Sequence, residues 1–160
     1  RVPLRRSAQR SGLTQALGLT REFRMASPSV IALTGFIVWT LLLLLLMETI
    51  RSEMVLRGKV AANSFTPDNA GLSPFMQRLA RAHANCVESL PVFGGLLLVA
   101  IATDRTTVTD PLAYLLLSAR ALQSIIHLAS LSQLAVTTRF LAFAVQLGIA
   151  LYWGFCLLLT

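Results

Sequence analysis

Four long apolar runs, separated by three polar connections, divide this chain. The first runs from about Val30 to Ile50 and contains six consecutive leucines, Leu41 to Leu46. The second opens near Pro74, with Ser73 in the N-cap position and proline in the first helical position, and continues to about Thr103. The third starts at Pro111, capped by Asp110, and ends near Leu131; the fourth covers about Thr138 to Leu159. Each is long enough to cross ~30 Å of hydrocarbon, which takes about 20 helical residues. The connection from Arg51 to Ser73 is long and polar, with Pro67-Asp68-Asn69 as a turn signal. The other two, Thr103 to Asp110 and Leu131 to Thr137, are short, which makes spans two and three, and three and four, antiparallel neighbours. The pattern predicts an all-α, integral membrane four-helix bundle.

Composition strengthens that reading. Of 160 residues, 55% are hydrophobic and 13% are charged, more apolar surface than so small a water-soluble domain can hide. The two cysteines, Cys86 and Cys156, lie in apolar segments and form no disulfide or metal pattern, so they read as small buried hydrophobes.

The formal charge of +7 suggests nucleic acid, but its distribution argues against that. Six of the fourteen basic residues precede Met25, against the single acid Glu22, leaving eight basic and six acidic residues from Met25 onward. The basic balance belongs to residues 1–24, while residues 25–160 form the four-span domain. Three readings of the tail stand open. Its Arg-rich composition suits an organellar targeting segment or an anchor for anionic lipid. The favoured reading makes it upstream sequence, because Met25-Ala26-Ser27-Pro28-Ser29 reads as a start just before the first apolar run.

Polar residues inside these runs are the candidate chemistry. Arg81, Asn85 and Glu88 are spaced i, i+4, i+7 and share one helix face at the head of the second span. In the third span Arg120, Gln123 and His127 share a face at i, i+3, i+7, with Ser124 adjacent. Polar groups entering a bilayer are costly and turn toward protein, water or ligand. The plain structural role for them is interhelical hydrogen bonding, including a Glu88–Arg120 ion pair. Two such stripes on neighbouring helices exceed what that role needs. Neither His83 nor His127 has a second ligand at metal spacing, so no metal site is expected. Arg139, at the mouth of the fourth span, is either a snorkelling end residue or a catalytic cation.

The pattern Arg-Ala-His-x-Asn-x-x-Glu-x-x-Pro-x-Phe from Arg81 to Phe93 resembles the MAPEG family, the membrane-associated proteins of eicosanoid and glutathione metabolism. The likeness in layout covers roughly Arg51 to Phe143. It implies a homotrimer that binds glutathione between subunits, with the site open to the cytoplasm, and a lipophilic small molecule arriving through the lipid bilayer. By resemblance Arg81 pairs with a glutathione carboxylate, Glu88 with its ammonium, and Asn85 with its peptide backbone. Arg120, Gln123 and His127 complete the binding wall, and Arg139 resembles the arginine that stabilises the glutathione thiolate. The implied activity is glutathione transfer to, or reduction of, a lipophilic electrophile; the alternative is a non-catalytic subunit of the same fold that binds lipid or a protein partner. This chain departs from the pattern where family enzymes commonly carry tyrosines on the third span, at Gln123 and His127.

Orientation follows lysine and arginine in short loops. Arg51, Arg57, Lys59, Arg78 and Arg81 lie at or beside the first connection and only Arg105 in the second, so the first loop is expected to be cytoplasmic. A Ser64→Cys variant should therefore react with a membrane-impermeant thiol reagent from the cytoplasmic side alone. Labelling only from the opposite side would reverse the orientation.

Overall fold

The computed structural model describes residues 27–159; the basic tail, residues 1–24, lies outside the described residues. Five α-helices follow one another: α1 (Pro28–Leu56), α2 (Pro74–Ser89), α3 (Gly95–Ala102), α4 (Thr106–Ala129) and α5 (Gln133–Leu159). A π-helical turn, Leu90–Gly94, joins α2 to α3. These two helices and the turn run as one rod, so the described residues contain four helical rods long and apolar enough to cross a membrane. Phe36, Leu43, Met76, Leu79, Leu97, Leu116 and Trp153 are buried where the rods meet. Leu45, Phe140, Phe155 and Leu158 lie outside, each more than 60% exposed, a surface suited to hydrocarbon.

The π turn has a local cause. Pro91 has no N–H to donate, and its ring crowds the carbonyl four residues earlier, so a regular α-helical turn is penalised there. A widened turn relieves the clash. Just above it, the Ser89 hydroxyl donates back to the Asn85 carbonyl.

Helix ends leave unpaired backbone groups that need partners. This bundle covers several of them from neighbouring helices. Asp110 Oδ1 accepts from Ser29 N at 2.9 Å and Ser29 Oγ at 2.6 Å, placing a carboxylate at the electropositive N-terminus of α1. Thr109 Oγ1 lies 2.6 Å from the same serine oxygen. Arg105 donates to the carbonyls of Leu157 at 2.8 Å and Cys156 at 2.9 Å, covering the electronegative end of α5. Arg78 Nε does the same for α4 through the Leu128 carbonyl at 2.9 Å. In each case the charge has the sign that the helix end requires.

These contacts also explain where the boundaries depart from the sequence pattern. The third helix starts at Thr106 instead of Pro111, and Asp110 caps α1 instead of its own helix. Thr109 and Asp110 are drawn to Ser29, which carries the helix one turn further back and leaves Pro111 inside it. That helix ends at Ala129, and α5 begins at Gln133, five residues before the expected Thr138. Ser132 supplies the entry, its hydroxyl accepting from Ala135 N at 3.2 Å. The first helix extends to Leu56, where Gly58 at φ 65° closes it; Lys59 N donates to the Met54 carbonyl at 2.9 Å. Ser73 does cap the second span, its hydroxyl accepting from Met76 N at 3.3 Å.

The first connection is built around Asn69, which is fully buried with φ 56°. Its Oδ1 accepts from Arg51 Nε at 3.0 Å, and its Nδ2 donates to the Met76 carbonyl at 2.9 Å. The loop is thereby tied to α1 and α2 together. Nearby, the Thr66 hydroxyl, followed by the Ala70 N–H, holds the Asp68 carboxyl below its ordinary pKa.

Replacing Asp110 with Ala removes both Ser29 contacts and uncovers the α1 terminus. The expected loss is about 1–2 kcal/mol, seen as a lower Tm in detergent, with Asp110→Asn intermediate because it retains an acceptor oxygen. An unchanged Tm for the alanine variant would show that the cross-helix cap contributes nothing.

Candidate functional site

The two polar stripes meet where α2 packs on α4. Arg120 is fully buried, and its Nη1 donates to Asn85 Oδ1 at 2.5 Å. Phe36 from α1 and Phe93 from the π turn flank the guanidinium, 5.3 and 5.5 Å from their ring centroids, in cation–π arrangements. Four helical segments thus converge on one cation. Behind it, Cys86 Sγ lies 3.4 Å from Ser124 Oγ, and both residues are buried. No carboxylate pairs with Arg120 among the described residues.

The expected Glu88–Arg120 ion pair is therefore replaced by an Asn85–Arg120 hydrogen bond. The reason is angular. Three residues past Asn85 the helix has turned about 60° short of a full turn, which carries Glu88 away from the α4 contact to an exposed position. Arg81 is exposed as well, and His83 is half-buried. The stripe therefore runs along the flank of the bundle, with Asn85 at the seam.

Beside that seam lies a cleft of about 300 Å³ lined by Asn85, Gln123, His127, Val136, Arg139, Phe140 and Phe143. Its two sides differ chemically. The α2 and α4 side contributes two amides and an imidazole. The α5 side contributes Val136, Arg139, Phe140 and Phe143, which share one face at i, i+3, i+4, i+7. Because α5 starts at Gln133, Arg139 sits in the second turn of a formed helix rather than at its mouth. Of the predicted site residues, Asn85, Gln123, His127 and Arg139 line one cavity, Arg120 stands behind Asn85, and Arg81 and Glu88 occupy the outer flank.

Several participants are absent from the sequence prediction. Gln146 on α5 is fully buried, and its Nε2 donates to Gln123 Oε1 at 3.0 Å. A lone amide in the middle of an apolar span is the signal that would have found it. Phe36 gave no such signal, since an aromatic in an apolar run is ordinary core. Phe93 and Phe143, whose centroids are 6.4 Å apart, close the apolar side of the cleft toward Arg120.

A cleft with a cation, two amides and an apolar wall can hold an anionic or acceptor-rich molecule next to a greasy one. Among known proteins, the model of the MAPEG family matches residues 29–159. The chain belongs to the MAPEG family. It is thus a multi-pass integral membrane protein of the family associated with eicosanoid and glutathione metabolism. No curated protein and no solved structure matches it. Within this MAPEG chain the family motif, Arg81 to Phe93, coincides with the segment that supplies Asn85 to the cleft and Phe93 to the buried arginine.

Arg120 and Arg139 should separate by stability. Arg120→Ala leaves a cavity between two phenylalanines and strips Asn85 of its partner, an expected loss of about 2–4 kcal/mol. Arg139→Ala, at a half-buried cleft position, should change the thermal midpoint little. Equal effects on Tm would remove the distinction between a core cation and a cleft cation.

Proposed function

We propose that the cleft binds glutathione and presents its thiolate to a lipophilic electrophile that reaches the protein from the bilayer. The observation that carries this reading is one cavity with Asn85, Gln123 and His127 on one side and, on the other, Arg139 set among Val136, Phe140 and Phe143. Glutathione combines two carboxylates, an ammonium, peptide groups and a thiol, so its site needs cations, an acid and amides. This chain offers that donor set at one end of the bundle. Arg81 takes a carboxylate, Glu88 the ammonium, and Asn85 and Gln123 the peptide and its neighbours. Arg139 lies beside the thiol and favours its charged form, since a guanidinium stabilises a nearby thiolate.

The reaction then needs little else. The thiolate sulfur forms a bond to the electrophilic carbon, and the displaced electron pair leaves with the departing group or settles on an adjacent acceptor atom. The thiol proton goes to water at the open, polar end of the cleft. The Val136, Phe140 and Phe143 wall supplies the surface on which a lipophilic reactant lies next to the sulfur.

Arg81 and Glu88 motivate a shared site. Both are exposed on the flank of a single bundle, where a charged side chain facing hydrocarbon costs roughly 2.5–3.5 kcal/mol. A second copy of the chain laid against that flank removes the cost and closes the cleft, and a closed ring of three such contacts is the homotrimer the family motif implies. The first loop then faces the cytoplasm and the glutathione supply.

The second reading is a non-catalytic membrane subunit of the same fold. It is favoured by one observation: no tyrosine lines the cleft, and Gln123 and His127 stand on the third span instead.

The test is a paired measurement on purified protein in detergent. Arg81→Ala or Glu88→Ala should weaken glutathione binding by about ten- to a hundred-fold, the value of one charge-assisted contact. Arg139→Ala should bind nearly normally yet lose turnover, and the thiol of bound glutathione, followed by thiolate absorbance, should titrate at higher pH. Normal binding by the wild type with no thiolate formation would select the non-catalytic reading. A stable monomer that binds glutathione as tightly as the assembled form would end the shared-site proposal.

A further inference from the structure

Both amides that line the cleft have their carbonyl oxygens held from behind. Asn85 Oδ1 accepts from Arg120 at 2.5 Å. A guanidinium carries five N–H donors and no acceptor, so only the oxygen edge of Asn85 can face it. On the other amide, Gln123 Oε1 accepts from Gln146 Nε2 at 3.0 Å. That glutamine has no freedom to turn over, because the same Nε2 also donates to the Ala142 backbone carbonyl at 2.8 Å, a group that can only accept. Arg120 and Gln146 are both fully buried, so water does not compete for either contact.

The consequence reaches the cavity. With its oxygen turned toward a buried donor, each amide has its –NH2 edge left for a ligand. Arg139, the one guanidinium of the lining, is a donor without an acceptor, His127 offers at most a single ring nitrogen as acceptor, and no carboxylate is among the lining residues. We infer that Arg120 and Gln146 are positioning residues that set the polarity of the cleft: they hold Asn85 and Gln123 with their N–H groups inward, so that the cleft selects a ligand group that only accepts hydrogen bonds, an ionised carboxylate or a thiolate. For glutathione the inference rests on the reading proposed above; the orientation of the two amides does not.

An amide turned the other way would favour donors, so polarity is a property that substitution can reverse. Gln146→Glu replaces the inward donor by acceptors. Gln123 must then turn its –NH2 toward residue 146 and offer its oxygen to the cleft. Asn85→Asp acts in the opposite sense on stability: the new carboxylate pairs with Arg120 but has no N–H for the ligand. A residue of purely structural importance would lose stability and binding together.

The experiment measures Tm and calorimetric binding for wild type, Asn85→Asp, Gln146→Glu and Arg120→Lys, using three probes. These are glutathione, glutathione with its glycine carboxylate amidated, and S-methylglutathione. Wild type should bind glutathione at least about tenfold better than one of the two analogues, one lost charge-assisted contact. Rejection of the amide assigns the cleft to the carboxylate, and rejection of the S-methyl form assigns it to the thiolate. Gln146→Glu should lower Tm and abolish that preference, while Arg120→Lys, still donor-only, should keep it. Asn85→Asp should raise Tm yet bind glutathione about tenfold less well or worse. The inference is overturned if Asn85→Asp binds like wild type, if Gln146→Glu keeps the preference, or if wild type distinguishes neither analogue. Should wild type bind no glutathione while Asn85→Asp still raises Tm and Gln146→Glu lowers it, the glutathione reading fails and the amide orientation stands.

Discussion

A guanidinium enclosed by helices is the constraint on which this structure turns. Arg120 has no ionic partner among the described residues, so its charge is accommodated by an amide oxygen and two aromatic faces. Those three groups come from α2, α1 and the π turn. Any loosening of one helix would expose the cation to hydrocarbon or leave it unpaired, and either is costly. The arginine therefore fixes how the first three rods meet, and the same contact fixes the rotamer of Asn85 at the cleft. Packing and recognition are set by one side chain.

The ends of the bundle obey a related rule. The end of a helix carries unpaired N–H and C=O groups that must find partners. Asp110, Arg105 and Arg78 each cross to a neighbouring helix and cover an end of opposite partial charge. The effect is to fix the vertical register of the helices, which apolar side chains sliding past one another would leave loose. Register matters here because the cleft needs residues from α2, α4 and α5 at one depth.

Much of this was legible in the sequence because its strongest signals are physical exclusions. Four apolar runs admit few alternatives, and polar residues inside them had to find company, which located Asn85, Arg120, Gln123, His127 and Arg139 in one region. Boundaries were less legible. Asp110 has the chemistry of an N-cap for the helix that follows it, and only the three-dimensional arrangement reveals that Ser29 of another helix claims it. The same limit applied to Glu88: charge complementarity favoured Arg120 as its partner, whereas the helix turn delivered Asn85 instead. Gln146 shows in the sequence only as a lone amide within an apolar run, a weaker sign than a stripe of several polar residues.

The π turn at Leu90–Gly94 has a consequence for how the second span can change. It holds surplus backbone between two regular segments, much as a slack link does in a chain. Loss of one residue there can be taken up by reverting to an ordinary turn, whereas the same loss in α2 would swing Asn85 off the seam. The span therefore has a place where length can vary while its upper, polar half keeps its bearing. The lower half keeps its bearing too, so Leu97 and Ala100 stay buried against the bundle.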